Sequence, residues 1–216
     1  QGDYTEFAVS IFFDSSFSGN SNEFETDEAN VLLYDSESSY GEATVLSSID
    51  FNADGYNDVV YGDWNAQSVG FNGNLSDSGE SFMYFYSGGD MNDGDTYDLD
   101  SDADFFLTGV NDFDYLGSGL GGGDYNNDGY DDIVVAAPGQ DTSSADSAGC
   151  VYVVDGETGL SGGGSASVTF VDDINVCADS DDVFLGWHAQ PQLADYDNDG
   201  QMDLAISAPV TGQVFV

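Results

Sequence analysis

Apolar residues in this chain come in short runs, rich in β-branched and aromatic side chains, between stretches of Gly, Asp, Ser and Asn. The runs are Phe7–Phe13, Val31–Tyr34, Val59–Tyr61, Phe82–Tyr86, Phe105–Leu107, Ile133–Ala137, Val151–Val154, Val168–Val171, Leu204–Ile206 and Val214–Val216. None extends into the i, i+3, i+4 spacing of an amphipathic helix, so the pattern predicts an all-β chain of short strands joined by turns. Such a chain suits a sandwich, a barrel or a propeller, and internal repetition decides among them.

One segment recurs three times: Asp50-Phe-Asn-Ala-Asp-Gly-Tyr-Asn-Asp58, Asp124-Tyr-Asn-Asn-Asp-Gly-Tyr-Asp-Asp132 and Asp195-Tyr-Asp-Asn-Asp-Gly-Gln-Met-Asp203, with starts 74 and 71 residues apart. Each runs into an apolar strand, and two of those strands lead into Ala-Pro, at Ala137-Pro138 and Ala208-Pro209. Each is preceded by an aromatic or Leu plus Gly: Tyr40-Gly41, Leu116-Gly117 and Leu185-Gly186. A later strand recurs as Phe82–Tyr86, Val151–Val154 and Val214–Val216. In this order the residues resemble the FG-GAP repeat, the blade unit of integrin-alpha-like β-propellers. Repeat one departs from the pattern, with Tyr61-Gly62-Asp63 where Ala-Pro would stand.

The resemblance implies an all-β fold of FG-GAP propeller-type blades. Each blade would have four antiparallel strands, with the acidic loop joining the first to the second. About three blades result, the terminal ones incomplete. Residues 1–39 read as trailing strands of a partial blade and a possible strand-exchange segment. Residues 40–110 read as repeat 1, 111–180 as repeat 2 and 181–216 as an incomplete repeat 3.

The three loops have the chemistry of a calcium site. Positions 1, 3 and 5 are Asp50, Asn52 and Asp54; Asp124, Asn126 and Asp128; Asp195, Asp197 and Asp199. Position 6 is always Gly (Gly55, Gly129, Gly200), where a tight turn calls for positive φ. Position 7 (Tyr56, Tyr130, Gln201) offers a backbone carbonyl, and position 9 is always Asp: Asp58, Asp132 and Asp203. Six or so hard oxygens converging in a tight loop suit Ca²⁺ rather than zinc or copper, so about three ions are expected. An EF-hand shares the first half of the pattern but needs a Glu at position 12, where Tyr61, Val135 and Ile206 stand in apolar strands. The Asp-rich stretch Asp90–Asp104 does not reproduce the spacing and reads as a solvated connection, with a loose further cation site as an alternative.

Charge narrows the function. The 216 residues carry 42 acids (34 Asp, 8 Glu), no Lys or Arg and one His, for a formal charge of −42. Phosphate neutralisation on nucleic acid and attraction to anionic lipid both need basic residues, so neither is open to this chain. A 40% hydrophobic content supplies a core, but self-repulsion makes the fold dependent on counterions. The ten aspartates at candidate ligand positions leave 32 acids elsewhere, so three Ca²⁺ reduce the formal charge only to about −36. The remainder suits a saline exterior, where screening shortens repulsion.

Cys150 and Cys177 face each other if Val151–Asp155 and Asp172–Val176 form a hairpin, which favours a disulfide in an exported chain. A start at Gln1 without Met reads as a processed chain, and no apolar run reaches membrane-spanning length. Asn74-Leu75-Ser76 is a possible N-glycosylation site. His188 has no nucleophile that the sequence can place beside it and reads as structural. The expectation is a non-enzymatic, calcium-binding extracellular structural or adhesive protein, secreted or on the cell surface. It would self-associate head to tail, its last blade accepting strands near Phe7–Phe13 or Val31–Tyr34 of the next subunit. The alternative is a ligand- or glycan-binding propeller fragment of a longer secreted or surface protein.

Overall fold

The computed structural model describes residues 7–11, 29–34, 43–64, 82–86, 88–109, 111, 113–156, 165–167, 175–188 and 190–216. In chain order the elements are β1 (Phe7–Ile11), β2 (Val31–Tyr34), β3 (Ala43–Ile49), β4 (Asp58–Asp63), β5 (Phe82–Tyr86), β6 (Asp95–Asp98) and one helical turn, α1 (Leu99–Asp102). They continue with β7 (Phe105–Thr108), β8 (Gly119–Gly123), β9 (Asp132–Ala137), β10 (Cys150–Val154), β11 (Ser165–Ser167), β12 (Asn175–Cys177), β13 (Gln192–Ala194), β14 (Asp203–Ala208) and β15 (Gln213–Phe215).

Two complete antiparallel blades emerge. The first is β3-β4-β5-β7 and the second β8-β9-β10-β12. A third sheet, β13-β14-β15, has three strands among the described residues, and β1 and β2 form an antiparallel pair before the first blade. The acidic loops join β3 to β4, β8 to β9 and β13 to β14. The all-β blade architecture expected from the sequence is therefore present, with the loops between first and second strands.

The apolar runs are continuous rather than alternating because the sheets stack and bury both faces. Along β9, Ile133, Val135 and Ala137 face the first blade, while Val134 and Ala136 face the third sheet. Strand β10 divides likewise, with Cys150, Tyr152 and Val154 on one side and Val151 and Val153 on the other. In β4, Val60 turns toward the second blade, and Val59 and Tyr61 turn toward Val31 and Leu33 of β2. Leu116 and Leu185, from the two Leu-Gly pairs, are buried in these layers. Gly117 and Gly186 adopt φ of 88° and 84° and donate N–H to Ala136 O and Ser207 O, both at 2.9 Å.

Two parallel pairings recur in the same place. The segment joining the third and fourth strands of the first blade supplies β6, which runs parallel to β2. The equivalent segment of the second blade supplies β11, parallel to β7. Each clasps the outer strand of the sheet before it. Asp90–Asp104 joins β5 to β7 as a connection with no buried residue among those described, and it also holds β6 and α1, which its sequence did not suggest. Two of its acids serve local turns, Asp95 Oδ2 accepting Asn92 N–H (2.8 Å) and Asp102 Oδ2 accepting Asp98 N–H (2.8 Å), while Asp93 Oδ1 reaches across to the Asn30 side chain before β2 (2.8 Å).

Candidate metal centres

The three loops repeat one hydrogen-bond pattern. The position 1 carboxylate receives the N–H groups of positions 5 and 6: Asp50 from Asp54 and Gly55 (both 2.9 Å), Asp124 from Asp128 (3.0 Å) and Gly129 (3.1 Å), Asp195 from Asp199 (3.0 Å) and Gly200 (2.9 Å). Position 3 Oδ1 also receives the position 5 N–H, at 3.1 Å for Asn52, 2.9 Å for Asn126 and 3.0 Å for Asp197. Position 5 Oδ1 receives the position 7 N–H, from Tyr56, Tyr130 and Gln201, at 2.9, 2.9 and 2.8 Å. Gly55, Gly129 and Gly200 have φ of 89°, 95° and 92°, the conformation their position calls for. Position 4 is also left-handed (Ala53, Asn127, Asn198; φ 53°, 59°, 61°), which the alanine gives no hint of.

Position 9 ties its loop to the rest of the blade. Asp58 and Asp132 are buried, and each bridges two backbone segments. One carboxylate oxygen accepts the position 2 N–H, from Phe51 (2.8 Å) and Tyr125 (2.7 Å). The other accepts from a glycine two residues beyond the third strand, Gly88 and Gly156, both at 2.9 Å. Burial pushes both carboxyls above the ordinary aspartate range, and those backbone donors pull back against it. Asp203 receives Tyr196 N–H at 2.9 Å and is only part-buried.

The loops differ at position 3. The amides of Asn52 and Asn126 donate to Asp54 Oδ2 (3.3 Å) and Asp128 Oδ2 (2.9 Å). In the third loop an aspartate replaces that donor, and oxygens of Asp195, Asp197 and Asp203 lie within 4.8 Å of one another. Among the described residues this is the one such group of three acids or other metal-binding side chains. An all-oxygen donor set of short acidic side chains in a tight turn fits a hard divalent cation, and calcium best by ligand number and flexibility.

Cys150 and Cys177 pair as expected, opposite each other on β10 and β12, with the bridge formed at a Cα separation of 4.1 Å. Asn74 and the Val168–Val171 run lie outside the described residues, as do Phe12 and Phe13 of the first predicted strand. Strands β1 and β2, expected to be available for exchange, are paired with each other and with β6. His188 is exposed and lies edge-on to Trp64 and Trp187, each at 5.0 Å. With Phe113, Tyr115 and Phe184 these rings form an aromatic cluster that the sequence did not single out. It sits where β4 ends and β8 and β13 are about to begin, at the opposite end of the strands from the acidic loops.

Comparison with known proteins adds a family and two relatives. Residues 116–154 match the FG-GAP repeat, so the second blade carries this repeat from Leu116 to the end of β10. The chain is 32% identical over 166 residues to phosphatidylinositol-glycan-specific phospholipase D of Rattus norvegicus, covering 76% of this chain and 18% of that protein. It is 30% identical over 110 residues to phosphatidylinositol-glycan-specific phospholipase D of Dictyostelium discoideum, covering 48% of this chain and 11% of that protein. The chain thus spans less than a fifth of the length of these relatives. Both are named as enzymes, which overturns the expectation of a non-enzymatic protein; a repeat built of turns and buried strands gives no sign of the chemistry carried on the rest of such a polypeptide. The FG-GAP repeat and the disulfide fit an extracellular protein. No helix among the described residues is long and apolar enough to cross a membrane.

Proposed function

We propose that this chain supplies calcium-loaded FG-GAP propeller blades to a secreted or cell-surface enzyme of the phosphatidylinositol-glycan-specific phospholipase D kind. The observation that carries the reading is the threefold recurrence of one loop geometry, with oxygens at positions 1, 3, 5, 7 and 9, in a chain related to those enzymes. The ions would be held by Asp50, Asn52, Asp54, Tyr56 and Asp58; by Asp124, Asn126, Asp128, Tyr130 and Asp132; and by Asp195, Asp197, Asp199, Gln201 and Asp203. Their work is structural. Calcium neutralises carboxylates that otherwise repel, and it fixes the turn that aligns first and second strands, so its binding energy adds to folding.

Thermal unfolding in calcium and in chelator tests this. At a hundredfold excess over Kd each site adds about 2.7 kcal/mol, or about 8 kcal/mol for three. For a chain of this size that raises Tm by about 15 °C or more. An equal Tm in both conditions rejects the calcium reading. Hydrolysis of a phosphatidylinositol-glycan by the polypeptide that carries these blades, assayed with and without chelator, tests the enzymatic setting; no hydrolysis in calcium rejects it.

A second reading, self-association by strand addition, is favoured by β15, where Val214 and Phe215 are exposed. Native mass measurement at rising concentration decides it: oligomers support strand addition, and a strictly monomeric chain removes it.

A further inference from the structure

The first two acidic loops touch, and the contact is made by a residue outside the ligand pattern. Asp131, at position 8 of the second loop, grips Asp50, the first residue of the first loop, from both sides. Its Oδ2 accepts Asp50 N–H at 2.9 Å, and its own N–H donates to Asp50 O at 3.2 Å. Gly156 closes the junction. A Cβ there would meet Asp131 O at 2.5 Å, Phe51 O at 2.7 Å and Tyr130 Cβ at 2.9 Å, so only glycine fits between the loops. The same Gly156 N–H anchors Asp132 at position 9 of the second loop. The third loop has Met202 at position 8, with no carboxylate, and among the described residues no such bond joins it to Asp124.

We propose that Asp131 is a positioning residue that makes calcium binding at the first and second loops mutually reinforcing, while the third loop binds independently. The proposal rests on the calcium reading of the loops. An ion in the second loop fixes the backbone around Asp131, and that fixes the peptide groups on both sides of Asp50. The first loop then orders less on taking its own ion. By linkage the reverse holds with the same factor. Two nearby cations repel, so electrostatics alone gives the opposite sign: the first ion weakens the second. The sign of the coupling therefore separates the clamp from simple proximity.

Hydrogen exchange read by mass spectrometry on the full chain, titrated with Ca²⁺, follows the peptides containing residues 50–58, 124–132 and 195–203 separately. Disabling the second loop with Asp124→Ala raises the calcium midpoint of the first loop about fivefold or more and leaves the third within about twofold. Asp131→Ala raises the first midpoint similarly and makes it insensitive to Asp124→Ala. Asp131→Asn, which keeps an amide oxygen for Asp50 N–H, restores part of the coupling and serves where the alanine variant does not fold. A first-loop midpoint that stays put or falls on Asp124→Ala overturns the coupling and leaves the calcium reading standing. If no loop gains protection from calcium in the unaltered chain, both fall.

Discussion

Replacing Asp132 distinguishes an anchor from a ligand. Its carboxylate is buried between two blade segments and accepts Tyr125 N–H at 2.7 Å and Gly156 N–H at 2.9 Å. Asp132→Asn is isosteric, but its NH₂ must face one of those donors, so one hydrogen bond to a charged acceptor is lost, at about 1.5–3 kcal/mol. Asp132→Ala loses both and leaves two backbone N–H groups without that acceptor, about twice the cost, less the desolvation that the absent charge no longer incurs. The informative condition is chelator. A residue acting only as a ligand would be a source of repulsion there, so removing it would leave stability unchanged or raise it. An anchor costs stability with no ion present. Urea unfolding in chelator, followed by tyrosine fluorescence and far-UV circular dichroism, is expected to show the alanine variant less stable than both the asparagine variant, which is also relieved of the charge's desolvation, and the parent. An alanine variant as stable as the parent without calcium refutes the anchoring role.

Other outcomes follow from the same structure. Removing the Cys150–Cys177 bridge, which closes a 27-residue separation, is expected to lower stability in saturating calcium by about 3.5 kcal/mol, measured by urea unfolding. The third loop, with four aspartates and its Asp195–Asp197–Asp203 cluster, is expected to bind calcium most tightly; single-loop titrations that rank it weakest contradict this. Asp58 and Asp132 have raised carboxyl pKa values in the folded chain, so the calcium-free fold takes up protons more readily than the unfolded chain. Its stability should therefore increase as pH falls toward their ordinary value of 3.8, and decrease as pH rises through the raised values. A calcium-free Tm that is flat or falls over that acidification contradicts the burial effect.

The strands that were legible are those with side chains to bury. Val31–Tyr34 and Phe82–Tyr86 coincide with β2 and β5, and the runs at Ile133 and Val151 sit within β9 and β10. The first strand of each blade was not legible. Gly119-Leu-Gly-Gly-Gly123 reads as a loop, yet it forms β8, because the neighbouring blade comes so close that a Cβ on Gly121 would lie 2.0 Å from Pro191 O. Strands β6 and β11 are short and polar, and they exist through pairing to a sheet distant in sequence, which no local pattern reports. Within the loops, repetition exposed the candidate ligand positions, and an assumed pairing of the third and fourth blade strands placed Cys150 opposite Cys177. The anchoring partners of Asp58 and Asp132 lie 30 and 24 residues away, and the Asp131–Asp50 clamp spans 81, so only the folded chain brings them together.

Native mass spectrometry of the full chain in excess magnesium with micromolar calcium counts the ions held by the three loops. A species carrying three calcium ions is expected, falling to two when Asp195 and Asp199 are both replaced by Ala. A chain that takes up no calcium under those conditions, or that loses none of its ions with both aspartates gone, contradicts calcium occupancy of the three loops.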